Sequence, residues 1–477
     1  MNDRHLVAGE QRLQNYLSQL ADVLGHADRK GRLVGYCTGL LLPGERKSVE
    51  PMAARLDPAQ VPSLHQALHH FVATSPWHDD AVLAAVRERV LPALTRHGPI
   101  TAWIIDDTGF PKKGTHSVGV ARQYCGQLGK QENCQVAVSL SVANSLASLP
   151  IAFELYLPED WASDPARRAK AGVPENLAFR TKPQIALTQI RHALTDDVAP
   201  GVILGDAGYG IDTDFRQALS ELGLVYVMGV QSSLGVWPPG CGPLPPKPWS
   251  GKGRPPKLWR RDAAHQPCTA KELALALPSD AWQTVSWRQG SAGKLDGRFA
   301  AVRVRPSHRD YWRSEPHAEE WLLIEWPQDK KEPSKYWLST LPATTSLVDL
   351  VGMAKLRWRI ERITRSSSRS WASITSRGEV GVAFIITPPC ALRPMASSCA
   401  SEVFFPLRSG SNARPLPYPP AGGRAGVPPR PERHNPWSIA SIRRRLTIAL
   451  ARRLPRCPCC QLAYDRTKPP TSISSIF

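Results

Sequence analysis

Residues 101–230 alternate between strand-type and helix-type apolar patterns, and the order of these patterns is compatible with only a few fold classes. Helix-type segments at 182–196 and 212–223 separate the last strands from those before them. The five strand-type segments are TAWIIDD (101–107), CQVAVSLSV (134–142), IAFELYL (151–157), GVILGD (201–206) and LVYVMGV (224–230). The turn NSLASLP joins the second and third segments, so they are predicted to pair antiparallel.

The resulting order is three strands, helix, strand, helix, strand. This order predicts an α/β protein with an RNase H-like fold, a mixed five-stranded sheet with helices on both faces. The fourth strand is continuously apolar, which is typical of a buried position in a sheet. The last helix of such a fold is expected only after the long segment 231–345, because the next helical pattern begins at residue 346.

The flanking sequence predicts further parts. The predicted domains are a helical N-terminal DNA-binding domain (1–97), the first part of the catalytic core (98–230), a β-rich insertion (231–345), the catalytic helix (346–362), a disordered or frameshifted segment (363–431) and a short C-terminal piece (432–477). The N-terminal pattern equally fits a helical domain that only packs on the rest. The insertion holds nine of the fifteen Trp residues. Five of its side chains are candidates for stacking on unpaired bases, although sheet core explains most of them: Trp259, Arg260, Arg261, Trp282 and Trp287.

Composition excludes some classes of protein and favours others. No run of about 18 apolar residues exists, and the N-terminus has no apolar signal segment, so a cytoplasmic protein is expected. The ten Cys are expected to be free thiols, with CPCC (457–460) as a weak zinc candidate. The net charge of +19 suggests a polyanion partner, but +14 of it falls in residues 362–477, which hold 17 Arg and one Lys against four acids.

Carboxylates stand at three places where an RNase H-like site needs them. Asp106 and Asp107 end the first strand, Asp206 ends the fourth, and Glu361 lies on the late helix. Hard Mg²⁺ ions take oxygen ligands, and two ions roughly 3.5–4 Å apart can activate the attacking oxygen and stabilise the leaving one. Turn chemistry after strands explains each Asp alone, because Asp and Gly favour tight turns.

Glu361 is harder to explain as a structural residue. Leu347, Val351, Ala354 and Trp358 precede it at helical spacing, so the carboxylate falls on the apolar stripe of the helix. Burying an unpaired charge costs several kcal/mol, roughly, and a metal cluster would remove that cost. The three acids together therefore predict catalysis.

Three stretches carry a resemblance to a known family. IIDDTGFPKKGTHSVGVARQYCGQLGK (104–130), VILGDAGYG (202–210) and YWLSTLP through LRWRIER (336–362) resemble the DDE transposases of bacterial insertion sequences. The similarity is strongest to the insertion sequence 701 group, related to the insertion sequence 4 superfamily. It covers roughly residues 25–362 and 432–460.

The resemblance implies Mg²⁺-dependent cutting and joining of DNA at element ends, with Mn²⁺ as a substitute. It assigns Asp107, Asp206 and Glu361 as catalytic metal ligands, with Asp106 as the alternative to Asp107. The implied partners are double-stranded DNA, as terminal inverted repeats and target, and a second copy of the chain; no membrane is implied. Basic side chains expected to contact DNA are Lys112, Lys113, Arg122 and Arg357.

The sequence departs from the family after Glu361. The family signature places Tyr, Arg, Glu and Lys at spacings of three, four and seven; Arg357 and Glu361 match, but Ala354 and Ser368 replace the Tyr and the Lys. The resemblance implies that the helix continues after Arg362 with residues such as Asp-Tyr-Gln-Glu-Leu-Lys. Deleting one nucleotide from codons for that sequence produces Ile-Thr-Arg-Ser-Ser-Ser-Arg-Ser, which is residues 363–370 here. We therefore expect a compensated frameshift that impairs this copy; a basic disordered tail is the alternative.

Two other functions remain open at this point. A stand-alone RNase H-like nuclease or resolvase would share the three acids but would not join strands. A catalytically inactive DNA-binding protein would share the charge but not the chemistry.

Overall fold

The computed structural model describes residues 3–42, 48–77, 79–96, 98–126, 128–145, 147–289, 294–313, 315–360 and 439–455. Glu361, the segment 363–431 and CPCC lie outside the described residues. The described residues form two compact units, one drawn from 1–97, 112–117 and 366–477 and the other from 98–111 and 118–365.

The first unit is helical. Its helices are α1 (Asp3–Asp22), α2 (Ala27–Leu41), α3 (Val49–Leu56), α4 (Val61–Ala73), α5 (Asp79–Thr95) and α13 (Ile439–Arg453). α13 packs on α1 and α2, buries Leu446 and Leu450, and donates a hydrogen bond of 2.9 Å from Thr447 Oγ1 to the Leu41 carbonyl. The apolar side of α13 is therefore covered by the other helices of this unit.

The second unit is built on one sheet of twelve strands. They are β1 (Ala102–Pro111), β2 (Ala121–Cys125), β3 (Lys130–Ala143), β4 (Ser148–Leu155), β5 (Val202–Gly205), β6 (Tyr226–Val230), β7 (Gly235–Trp237), β8 (Cys268–Thr269), β9 (Gln283–Gln289), β10 (Lys294–Pro306), β11 (Glu320–Trp326) and β12 (Lys335–Ser339). Its helices are α6 (Glu159–Ala162), α7 (Pro165–Lys170), α8 (Lys182–Thr195), α9 (Ala207–Gly210), α10 (Thr213–Glu221), α11 (Ala270–Ala276) and α12 (Leu347–Lys355).

The five predicted strands lie side by side in the order β4-β3-β1-β5-β6. β1, β3 and β4 pair antiparallel, whereas β1, β5 and β6 pair parallel. The antiparallel pairing of β3 with β4 is confirmed. The short hairpin strand β2, which pairs with the start of β3, is not predicted by the sequence.

The strands of the insertion extend this sheet. β12 pairs antiparallel with β6, and β11 and β10 follow outward. The expected five-stranded sheet is therefore too small as a description of the structure. β6 pairs with β5 on one side and with β12 on the other. The insertion therefore covers what would otherwise be an exposed strand edge.

The late helix α12 packs on one face of the sheet. Val351 and Ala354 join a buried cluster with Ile104 of β1 and Leu204 of β5. Because successive side chains of a strand point to opposite faces, this face is the one that carries the even-numbered residues of β1. No described helix is both long and apolar enough to cross a membrane. Among the described residues, Cys125, Cys134, Cys241 and Cys268 form no disulfide bond.

Candidate active site

The parallel strands β1 and β5 place two aspartates at one level of the sheet. Ile104 pairs with Leu204, and Asp106 and Asp206 each follow two residues later. β1 is regular throughout its pairing with β3, so Asp106 lies on the face that α12 covers. β1 continues to Pro111, so Asp106 and Asp107 lie within the strand and not at its end as predicted. The parallel pairing of β1 with β5 still brings Asp106 level with Asp206, which follows the last residue of β5, from a position 100 residues away in the sequence.

Asp107 lies on the opposite face of β1 from Asp106, between two donors. Lys182 Nζ donates to Asp107 Oδ2 at 2.6 Å, and the Tyr209 hydroxyl donates to Asp107 Oδ1. Lys182 is the first residue of α8, where a cation opposes the helix dipole. The ion pair with Asp107 offsets that unfavourable position.

Asp206 caps the four-residue helix α9. Its Oδ1 accepts a hydrogen bond of 2.8 Å from the Gly208 backbone N–H. The helix lies against β6 so closely that a Cβ on Gly210 would overlap the carbonyl oxygen of Gly229. The buried Arg216 guanidinium donates to the Gly210 carbonyl and holds the other end of the turn. The GDAGYG sequence therefore needs glycine at position 210, where the backbone of β6 leaves no room for a Cβ.

The late helix was predicted to run to residue 362, but α12 ends at Lys355 and a turn follows it. Lys355 and the residues after it are attached to the sheet at several points. Lys355 Nζ donates to Glu325 Oε1 at 2.6 Å, and Arg357 Nη2 donates to Asp106 Oδ1 at 2.9 Å. Trp358 lies under the Arg288 guanidinium at 3.7 Å, and Ile360 is buried. The chain is thus held beside Asp106 up to the residue before Glu361.

The three aspartates influence one phenol. Burial raises the pKa of Tyr209 well above its ordinary value, and the negative charges of Asp107, Asp206 and Asp106 raise it further. The Tyr209 hydroxyl therefore stays protonated and keeps donating its hydrogen bond. The carboxylates of Asp106, Asp107 and Asp206 supply oxygen atoms, and oxygen is the ligand type that a hard divalent cation prefers. Within the described part of the chain, no group of three His, Cys, Asp or Glu is placed to hold a metal ion.

Comparison with known proteins gives the family. A family model described as "DDE superfamily endonuclease" matches residues 19–294, which is more than half of the chain. The chain belongs to the DDE superfamily endonucleases. It is also 36% identical over 169 residues to the "Probable transposase for insertion sequence element IS701" of Microchaete diplosiphon. That alignment covers 35% of this chain and 41% of the relative, so the chain spans about two fifths of the relative's length.

The predicted DNA-contacting residues of this DDE endonuclease differ in exposure. Lys113 and Arg122 are exposed, whereas Lys112 is only 8% exposed. Burial lowers the pKa of Lys112 to about 7. Arg357 forms an ion pair with Asp106. The catalytic assignments to Asp107, Asp206 and Glu361 stay proposals, and Glu361 is outside the described residues.

Replacing Lys112 with Met is expected to stabilise the protein by about 2–4 kcal/mol at pH 7 and below. The folded state disfavours protonation of Lys112, so the unfolded chain binds more protons between pH 7 and about 10.5. The penalty is therefore full below pH 7 and fades as the pH rises to about 10.5. Thermal unfolding of both chains at about pH 7 and pH 9.5 measures it; a gain that is absent, or equal at the two values, contradicts the assignment.

The insertion presents two aromatic side chains on a fixed turn. Trp312 is 63% exposed and Tyr311 is 42% exposed. Asp310, which directly precedes Tyr311, is only 1% exposed. Asp310 accepts hydrogen bonds from Trp237 Nε1 at 2.7 Å and from Arg261 Nε at 3.0 Å. The exposure of Tyr311 and Trp312 was not predicted from the sequence. The alternation of apolar and polar residues predicts strands, but it does not tell which aromatic side chains of a loop are exposed.

Proposed function

We propose that the chain is an insertion-sequence transposase that binds element ends, cuts DNA in a metal-dependent reaction and joins the cut strand to a target. The observation that carries the proposal is that Asp106 of β1 lies level with Asp206 at the end of β5, and that the chain after the late helix returns to Asp106 through the Arg357–Asp106 ion pair. Membership of the DDE endonuclease family and the partial similarity to the IS701 protein support it.

The sheet supports a finer fold assignment. The order β4-β3-β1-β5-β6, antiparallel in its first half and parallel in its second, is the arrangement expected for an RNase H-like core. The insertion between β6 and α12 accounts for the distance in sequence between Asp206 and Glu361. An RNase H-like core with an inserted β region is therefore our proposal for residues 98–362.

The proposed metal ligands are Asp206, Glu361 and the tandem aspartates within β1, with Asp107 as the ligand that the family resemblance assigns. Two Mg²⁺ ions, replaceable by Mn²⁺, would supply charge stabilisation of the attacking and leaving oxygens when bound. The chain's own part is to hold the carboxylates in place. The α9 turn holds Asp206, and the contacts of Lys355 and Arg357 hold the chain that precedes Glu361 in the sequence.

The proposed partner is double-stranded DNA, and the proposed contacts are Lys113, Arg122, Lys112 and Arg357. Lys112 is buried in the structure and would have to become exposed to reach DNA. Arg357 donates a hydrogen bond to Asp106 of the proposed site. A homodimer in the DNA complex is proposed from the family resemblance. Phosphate contacts by such cations supply affinity that falls with salt.

Incubating the protein with DNA that carries the flanks of its own gene and with a target plasmid tests the function. Joined products support the transposase. Cut products without joining favour a nuclease or resolvase, and binding without either favours an inactive DNA-binding protein. Terminal inverted repeats around the reading frame would identify the ends to use.

Replacing Trp312 with Ala is expected to weaken binding to an oligothymidine of about 20 nucleotides by roughly 5–100-fold, because stacking of one base contributes about 1–3 kcal/mol. Blunt duplex DNA should be affected much less, since its bases are already stacked. The control is Leu275→Ala, which removes another exposed apolar side chain of the insertion. Equal losses for both DNA forms, measured by fluorescence anisotropy, would show that the turn does not stack on unpaired bases.

A further inference from the structure

We infer that the connection between β7 and β8 carries a DNA-binding loop, residues 245–259, which enters the minor groove of A·T-rich duplex DNA. The inference deepens the proposed function, on which it rests, by naming a groove and a base composition that the protein prefers. Four exposed cations of this basic loop make the proposed contact: Lys247, Lys252, Arg254 and Lys257.

The basic loop and its flanks carry positive charge without any balancing acid. Residues 238–261 hold six Lys and Arg residues and no Asp or Glu. Two of the six are paired at the base of the loop, Arg260 with Asp262 at 3.8 Å and Arg261 with Asp310 at 2.7 Å. The other four are exposed and form no ion pair with any residue that the structure describes. Uncompensated cations on an exposed loop attract a polyanion, and duplex DNA is the polyanion of the proposed function.

The base of the basic loop is fixed by hydrogen bonds. Leu244 and Arg260 exchange two backbone hydrogen bonds, of 2.9 and 3.0 Å, and Arg260 Nε donates to the Pro245 carbonyl at 3.2 Å. The next residue, Arg261, donates to the buried Asp310 at 3.0 Å. The composition alone is typical of a Pro/Gly linker, but these bonds close the segment into a loop that starts and ends at the same place on the insertion.

The tip of the basic loop is narrow because two of its residues have no side chain. Gly251 and Gly253 adopt φ angles of +80° and +73°, and no atom lies within 4 Å of the position that a Cβ would take. Trp249 Nε1 donates to the Gly253 carbonyl at 3.1 Å and closes the turn. The prolines at 255–256 follow Arg254 and restrict the backbone that carries it. The tip is therefore a slim basic strand that loses little conformational entropy when it binds.

The shape and composition of the tip fit the minor groove better than the major groove. The major groove admits a helix or a two-stranded ribbon, and no helix or strand lies between Pro245 and Trp259. Residues 247–257 hold no Asn, Gln, Asp or Glu, the side chains that pair with adenine or cytosine edges in the major groove. The minor groove is about 6 Å wide and is narrower in A·T tracts, where its stronger negative potential attracts Arg and Lys. Arg254, which lies between a glycine and two prolines, is the residue expected to enter it.

The first experiment measures, by fluorescence anisotropy, binding of the full chain to two blunt duplexes of about 20 base pairs, one A·T-rich and one G·C-rich. The wild-type chain is expected to bind the A·T-rich duplex at least about fivefold more tightly. Arg254→Ala should weaken binding to the A·T-rich duplex by about 5–50-fold and binding to the G·C-rich duplex by less than about threefold. Lys331→Ala is the matched control, because it removes an exposed cation from another loop of the insertion. It should keep the A·T preference.

The second experiment tests the groove itself with netropsin, a small molecule that occupies the minor groove of A·T-rich DNA. Netropsin should lower the affinity of the wild-type chain for the A·T-rich duplex to that of Arg254→Ala. It should leave the affinity of Arg254→Ala unchanged, because that variant has already lost the contact that netropsin blocks.

The outcomes separate this inference from the proposed function. Equal losses on the two duplexes in Arg254→Ala, or wild-type binding that netropsin does not weaken, would overturn the minor-groove contact. A chain that cuts and joins DNA but shows no A·T preference would overturn this inference alone. A wild-type chain that binds neither duplex would overturn the proposed function and this inference with it.

Discussion

Asp206→Ala is expected to reduce DNA cleavage by at least about a thousandfold while changing DNA affinity by less than about twofold. The proposed metal ligation by Asp206 serves the chemical step, whereas affinity comes mainly from phosphate contacts elsewhere. Gel assays of cleavage and of DNA binding, on the same preparation, measure the two quantities.

Asp206 also caps a helix, so its removal has a structural effect that needs a control. Asp212 is well matched, because it caps α10 through a hydrogen bond of 2.9 Å from the Phe215 N–H and has no proposed metal role. Asp212→Ala should lose about 1 kcal/mol of stability and keep cleavage. A loss of DNA binding in Asp206→Ala as large as its loss of cleavage would refute the assignment.

Asp310→Ala is expected to destabilise the second unit by about 2–4 kcal/mol. The side chain is 1% exposed, and its loss leaves the buried Trp237 N–H without its acceptor and the Arg261 guanidinium without its ion-pair partner, with the Ser307 carbonyl as its remaining acceptor. The partial exposure of Arg261 keeps the expected cost below that of a fully buried pair.

Asp280→Ala is the matched control for this stability prediction, because Asp280 lies exposed on another 3-10 turn of the insertion. It should change stability by less than about 0.5 kcal/mol. Urea unfolding of the three chains measures the difference. An Asp310→Ala chain as stable as the Asp280→Ala chain would mean that the buried carboxylate contributes nothing net.

Local patterns were enough to predict the core strands. β3 and β4 alternate cleanly and the turn between them is short, so both strands and their pairing follow from the residues. The short, polar β2 lacks that alternation. The joining of the insertion to β6 depends on which strand edges meet in space, which a one-dimensional pattern does not contain.

The acids of the candidate site were predictable for the same reason, since Asp106, Asp107 and Asp206 follow recognisable strands. Their partners were not. Lys182 reaches Asp107 across 75 positions in the chain, and Arg357 reaches Asp106 across 251. Such pairs arise only when the sheet and its covering helices are assembled, and they decide which face each aspartate serves.

The measurement that tests the central claim most directly is a strand-transfer assay on the chain as written and on a frame-restored chain, with and without Asp206→Ala, in Mg²⁺ or Mn²⁺. The substrate is DNA that carries the flanks of the gene, with a plasmid as target. The proposed function predicts cut and joined products that disappear in Asp206→Ala, with more product from the restored chain. Absence of products from both chains, or products that persist in Asp206→Ala, would contradict it.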